Sequence, residues 1–291
     1  MTTKLSVPRA ILDPQIVAEQ LEKITLSAGG HKSPEAGMCV MEAVSYIAGE
    51  RFSSYPECAC PVITGFMVSF NDTLPDNAAR DRWIKPLIPA IVGSRIFQAD
   101  GKEDKDVLIR RSLIAGDAAL RHFVPFTLDI AAQSFAEYGG EAWARDGAKF
   151  FTGKTAWLRA LPEQTSFEGL ALAARTVFVD LADIAGCADV AGRTDFYALG
   201  DLSALGYLAD LADIAATAVR SKLVGRTTRT AFAAHTDIIA LAVAAAYNNL
   251  ADLAAADQLN EARVATVLKM LAVRSNASIT NSAEKGVITK K

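Results

Sequence analysis

At 291 residues and 30.9 kDa, the chain holds one large domain or two modest ones and is long enough to close a core without disulfide or metal staples. Its 51% apolar and 22% charged residues exclude a disordered or collagen-like chain. A formal net charge of −3 disfavours a partner held mainly by phosphate electrostatics, so nucleic acid is not an expected partner.

The opening stretch from Met1 to Arg9 lacks the continuous apolar run of an export signal, which predicts a cytoplasmic location. The apolar run Ile238 to Tyr247 falls far short of the roughly 20 residues that span a bilayer, so no membrane span is predicted. Cys39, Cys58, Cys60 and Cys187 do not form a disulfide framework at this length. Cys187, alone in an Ala-rich segment, reads as a small buried hydrophobe.

Asp13-Pro14 is a cap followed by proline at the first helical position, and it opens a helix within residues 11–26 that Ala28-Gly29-Gly30 stops. Ser33-Pro34-Glu35 is a second helix-start signature. The next helix carries Met38 to Ala48 and ends at Gly49. Another runs from about Pro61 to Phe70, and Pro86 and Pro89 predict a broken helix over Trp83 to Val92, closed by Gly93. Gln98 to Asp106 is a solvated connection. Val107 to Val124 and Pro125 to Tyr138 are periodic, whereas Gly147, Gly153 and Pro162 interrupt the pattern.

Beyond residue 166, Phe167–Ile184, Asp201–Ser221, Thr228–Asn248 and Asp257–Arg274 read as Ala-rich helices. The strings Asp180-Leu-Ala-Asp-Ile-Ala185 and Asp210-Leu-Ala-Asp-Ile-Ala215 are identical, although biased composition accounts for them as well as a repeat does. The predicted fold class is mainly α: an N-terminal helical module over 1–138, a linker or poorly ordered helices over 139–165, an Ala-rich antiparallel helical bundle over 166–274, and a polar tail over 275–291.

Candidate chemistry concentrates in residues 31–60. Wound at about 100° per residue, Val40, Met41, Val44, Ile47 and Ala48 form the core face, and Cys39, Glu42, Tyr46 and Glu50 form the opposite arc. Cys39 in the first turn of a helix is a candidate nucleophile, because the dipole favours thiolate, with Glu42 or His31 as its helper. His31, Cys39, Cys58 and Cys60 are candidate zinc ligands, although their spacing lacks paired C-x2-C knuckles. His122, with Asp129 two turns later, is a weaker base. Arg110-Arg111 and Arg226/Arg229 are weak phosphate candidates, and Asp180, Asp183, Asp210 and Asp213 read as a solvated acidic face.

The string Gly30-His31-x-Ser33, Gly37-Met-Cys39-Val-Met-Glu42-Ala, Pro56-x-Cys58-x-x-Pro61-Val-Ile63, Asn71-Asp72-x-Leu74-Pro75-Asp76 and Lys85-Pro-Leu-Ile-Pro89 resembles an uncharacterised family of proteins from actinobacteria and their phages. That resemblance implies an N-terminal module of about residues 1–135 joined to a divergent helical extension, and it implies no activity. Where relatives carry Ser-Asp-His-Pro, this chain has Ser53-Ser54-Tyr55-Pro56.

The sequence therefore predicts a non-enzymatic helical protein that acts through protein–protein contacts or self-association, in a bacterial or viral assembly. Two alternatives stay open: a Cys39-dependent transfer or hydrolysis enzyme, and a zinc-stabilised module on His31, Cys39, Cys58 and Cys60.

Overall fold

The computed structural model describes residues 13–123, 142–163 and 253–274, with isolated positions between 125 and 173. These residues are mainly helical. Among them β pairing is limited to two isolated bridges, Leu26 with Met38 and Phe97 with Glu103. The described chain separates into two compact units, within Met1–Asp104 and within Lys105–Val273. The break falls in the solvated 98–106 connection.

In the first unit, α1 (Pro14–Glu22) starts where predicted, with Asp13 Oδ1 accepting from the Gln15 amide at 2.9 Å. It ends at Glu22, and Leu26 is then taken up in the bridge to Met38. The expected helix at Ser33-Pro34-Glu35 is only a 3-10 turn, Pro34–Ala36, because Gly37 at φ 124° turns the chain away.

Helix α2 (Val40–Ile47) packs against α3 (Pro61–Thr73) and the short α5 (Ile88–Ile91). Met41, Val44, Ile63, Met67, Phe70, Ile88 and Ile91 are fully buried, and Phe66 and Phe70 meet edge to face. Arg80, on α4 (Asn77–Trp83), is itself buried. It closes the end of α3 by donating to the Asn71 carbonyl (2.9 Å) and the Leu74 carbonyl (2.6 Å). The broken helix expected over Trp83–Val92 appears as the end of α4, a 3-10 turn at Lys85–Leu87, and α5.

In the second unit, α6 (Lys105–Ala118) continues into a π-helical turn, Ala119–Phe123, and both touch α8 (Leu253–Ala272). Arg111, expected at the surface, is completely buried. It donates to the Met270 (2.9 Å) and Val273 (3.2 Å) carbonyls, satisfying orphan acceptors at the end of α8. Its neighbour Arg110 is exposed and lies 3.7 Å from Asp106.

Residues 142–160, expected as a linker or poorly ordered helices, form one continuous helix, α7 (Ala142–Ala160). Each internal glycine costs about 1 kcal/mol against alanine. The buried stripe Phe151, Thr155 and Leu158 offsets that cost by packing. Cys187, Arg226, Arg229, the acidic repeats, the apolar run at 238–247 and most of the proposed bundle lie outside the described residues. No helix among the described residues is long and apolar enough to cross a membrane.

Candidate functional site

The Leu26–Met38 bridge and a hydrogen bond from the Ser27 amide to the Met38 carbonyl (2.9 Å) close residues 27–37 into a loop. That loop lies over the start of α2. Cys39 is the residue before the helix, in extended conformation, and not part of its first turn. Its sulfur accepts from the Glu42 amide at 3.5 Å, and Glu42 Oε2 accepts from the Cys39 amide at 2.8 Å. This is a capping box with cysteine in the usual serine or threonine position.

Glu42 also receives the loop. Its Oε1 accepts from the His31 amide at 2.7 Å, and its Oε2 accepts from His31 Nδ1 at 2.8 Å. Burial pushes the carboxyl up. The hydrogen bonds from the Cys39 amide, the His31 amide and the His31 ring outweigh it, and hold the group below its ordinary value. Glu42 is therefore a carboxylate that accepts from the Nδ1 side of the ring, and Nε2, on the other side, lies 3.0 Å from Ser27 Oγ. The same hydroxyl donates to the Met38 carbonyl at 3.4 Å.

Neighbouring helices hold the loop from outside. Buried Asn71 on α3 donates to the Ser27 carbonyl (2.9 Å) and accepts from the Val40 amide (3.1 Å). Asp72 accepts from the Gly29 amide (2.9 Å), and Asp81 accepts from the Leu26 amide (3.0 Å). Gly37 permits the close approach. A Cβ there would stand 2.7 Å from His31 Cδ2 and 2.9 Å from Ser27 Oγ.

These contacts correct the expected exposed arc. Cys39 is 3% and Glu42 2% exposed, whereas Tyr46 does face solvent at 45%. The arc is covered at its N-terminal end, by the 27–37 loop, and open further along. Nor is the Cys39 thiol activated. Burial, opposed by the Glu42 amide but reinforced by the Glu42 charge, pushes it up to about 12, and burial pushes Cys58 to about 11.

The four expected zinc ligands are not gathered: among the described residues no group of three or more His, Cys, Asp or Glu side chains is placed to hold a metal. His31 faces Glu42 and Ser27 with its two ring nitrogens. Cys58 and Cys60 are tied elsewhere through their backbones, to the Arg95 amide (2.9 Å) and the Ser94 hydroxyl (3.0 Å). His122 sits in the π-helical turn, and Asp129 pairs with Arg159 at 2.6 Å.

No family model matches this chain, and no curated protein or solved structure does either. The site must therefore be read from its own geometry. Sequence reasoning named His31 and Glu42 but assigned them to the thiol, and it missed Ser27 and Asn71. Two signals were available: Cys39-x-x-Glu42 has capping-box spacing, and Ser27 precedes His31 by four residues across a double glycine.

Proposed function

We propose that the chain acts through protein–protein contacts, as an accessory or assembly component made in the cytoplasm, and that its contact surface is the outward face of α7. One observation carries the proposal. Among the described residues that face is a shallow, open patch lined by Asp146, Lys149, Phe150, Gly153, Lys154 and Trp157. Gly153 lies one helical turn from each aromatic, and among the described residues nothing stands within 4 Å of where its Cβ would be. The Lys154 ammonium lies 5.6 Å from the Phe150 ring and 5.8 Å from the Trp157 ring.

An aromatic floor with a glycine notch and a lysine rim suits a partner helix carrying apolar knobs and carboxylates. Aromatic anchors of this kind dominate binding energy in protein interfaces. The resemblance of residues 30–93 to proteins of actinobacteria and their phages supports a bacterial or viral setting for that partner.

A photo-cross-linking residue in place of Lys149, introduced in cells that make the protein, tests the reading. The expected result is an adduct with a second polypeptide of defined mass that disappears in Gly153→Leu. Leucine fills the notch while favouring the helix. Cross-links confined to the same chain, or an adduct indifferent to Gly153→Leu, would contradict it.

A further inference from the structure

The loop over α2 carries a second possibility, independent of the α7 face. We propose that Ser27, His31 and Glu42 form a nucleophile–base–carboxylate relay that hydrolyses short acyl groups borne on good leaving groups, such as a thioester or an aryl ester. Three side chains are joined in order: Ser27 Oγ to His31 Nε2 at 3.0 Å, and His31 Nδ1 to Glu42 Oε2 at 2.8 Å. Glu42 is buried and ionised, so it orients the ring and stabilises the imidazolium that forms when the ring takes a proton. The His31 side chain keeps 14% of its surface exposed, and Ser27 is part-exposed, so the pair lies at the surface of the unit and not in its core.

The relay is held in place as a site needs to be. The Ser27 backbone is bonded on both sides, its amide to Met38 and its carbonyl to the buried Asn71. Gly37, at φ 124°, offers a bare Cα against which the serine hydroxyl and the imidazole both pack. A buried latch would need only the bonds between His31 and Glu42. The additional placement of a part-exposed hydroxyl 3.0 Å from Nε2 is the geometry in which an imidazole can take a serine proton.

The surroundings restrict the substrate. The rim beside Ser27 is the exposed run Ala28-Gly29-Gly30, which presents no bulk to an approaching carbonyl. The Gly29 amide is engaged by Asp72 and the His31 amide by Glu42, so neither is available to a developing oxyanion. A substrate with a good leaving group tolerates that shortage best.

In the first step Ser27 Oγ bonds to the acyl carbon and its proton passes to His31 Nε2. The bond to the leaving sulfur or oxygen then breaks, and the leaving group takes that proton. In the second step water adds to the acyl-serine, again through Nε2, and releases the carboxylic acid and free Ser27. The balance is ester or thioester plus water giving acid plus alcohol or thiol.

The test uses the full chain, a fluorophosphonate probe and p-nitrophenyl acetate, with adducts located by peptide mass spectrometry. The expected result is a single phosphonate on Ser27, and ester hydrolysis that is lost in Ser27→Ala. His31→Gln slows acylation by roughly 100-fold or more. A folded native chain without a Ser27 adduct would overturn the proposal, and so would labelling at an unchanged rate in His31→Gln. Should that variant not fold, the remaining chains decide: ester hydrolysis by the native chain with no acetyl group on Ser27, or hydrolysis that survives in Ser27→Ala, overturns it.

Discussion

Glu42 binds three N–H donors with two carboxylate oxygens while almost wholly withdrawn from solvent. Glu42→Gln keeps the shape but turns an amide NH₂ toward groups that themselves donate, leaving at least one donor unmatched. A loss of about 1–3 kcal/mol is expected, read from the denaturant midpoint. Because the folded carboxyl titrates below its ordinary value of 4.5, the unfolded chain binds more protons as the pH falls. The stabilisation is complete above the ordinary carboxylate range and is lost as the pH drops through the folded value. Stability measured against pH should accordingly fall less steeply below about 4.5 in Glu42→Gln than in the native chain. For Cys39 and Cys58, held near 12 and 11, site-resolved alkylation at neutral pH should run well below the rate of a free thiol. The residue types of this site were legible in the sequence, but their grouping was not. Helical periodicity places Cys39, Glu42 and Tyr46 on one arc and is blind to a loop that folds over part of it through bonds eleven residues apart in the chain.

At the scale of elements, local chemistry was the readable part. Asp13-Pro14, Cys60-Pro61 and Gly49 mark helix ends where the structure has them, with Gly49 at φ 68° closing α2. The inward face of α2 was likewise readable. Met41→Asp buries a charge at a position with no exposed surface and should abolish cooperative unfolding of the first unit, as followed by circular dichroism. Less readable was Gly37, whose role depends on His31 and Ser27 lying against it. Gly37→Ala should cost about 1–3 kcal/mol, from an unfavourable φ and a steric collision together. At Gly49, which has a positive φ but open space around it, alanine should cost less. Equal losses in the two denaturation curves would show that crowding by the loop is not the cause. The continuity of helix α7 was less readable for the opposite reason: glycines interrupt the sequence pattern, while a stripe anchored by Phe151 and Leu158 holds the helix together.

For the molecule as a whole, the mainly α class follows from the periodicity of nearly every segment, and the described residues bear it out. The unit break at Asp104–Lys105 was marked by the polar run 98–106 but was masked by the stronger compositional change near residue 166. Arg111 shows what composition hides at this scale. A guanidinium without exposed surface caps carbonyls about 160 residues away, at Met270 and Val273. Arg111→Leu should strip those acceptors of their partners and speed amide exchange through the last turns of α8, with loss of overall stability. One carboxylate closes the 27–37 loop onto the start of α2, and every feature of the site depends on that closure. Residue-resolved amide hydrogen exchange of the native chain, at the His31 and Cys39 amides, measures that closure directly. Both amides should be protected, and both should lose protection together in Glu42→Ala. Fast exchange at either amide in the native protein, or protection that survives Glu42→Ala, would contradict it.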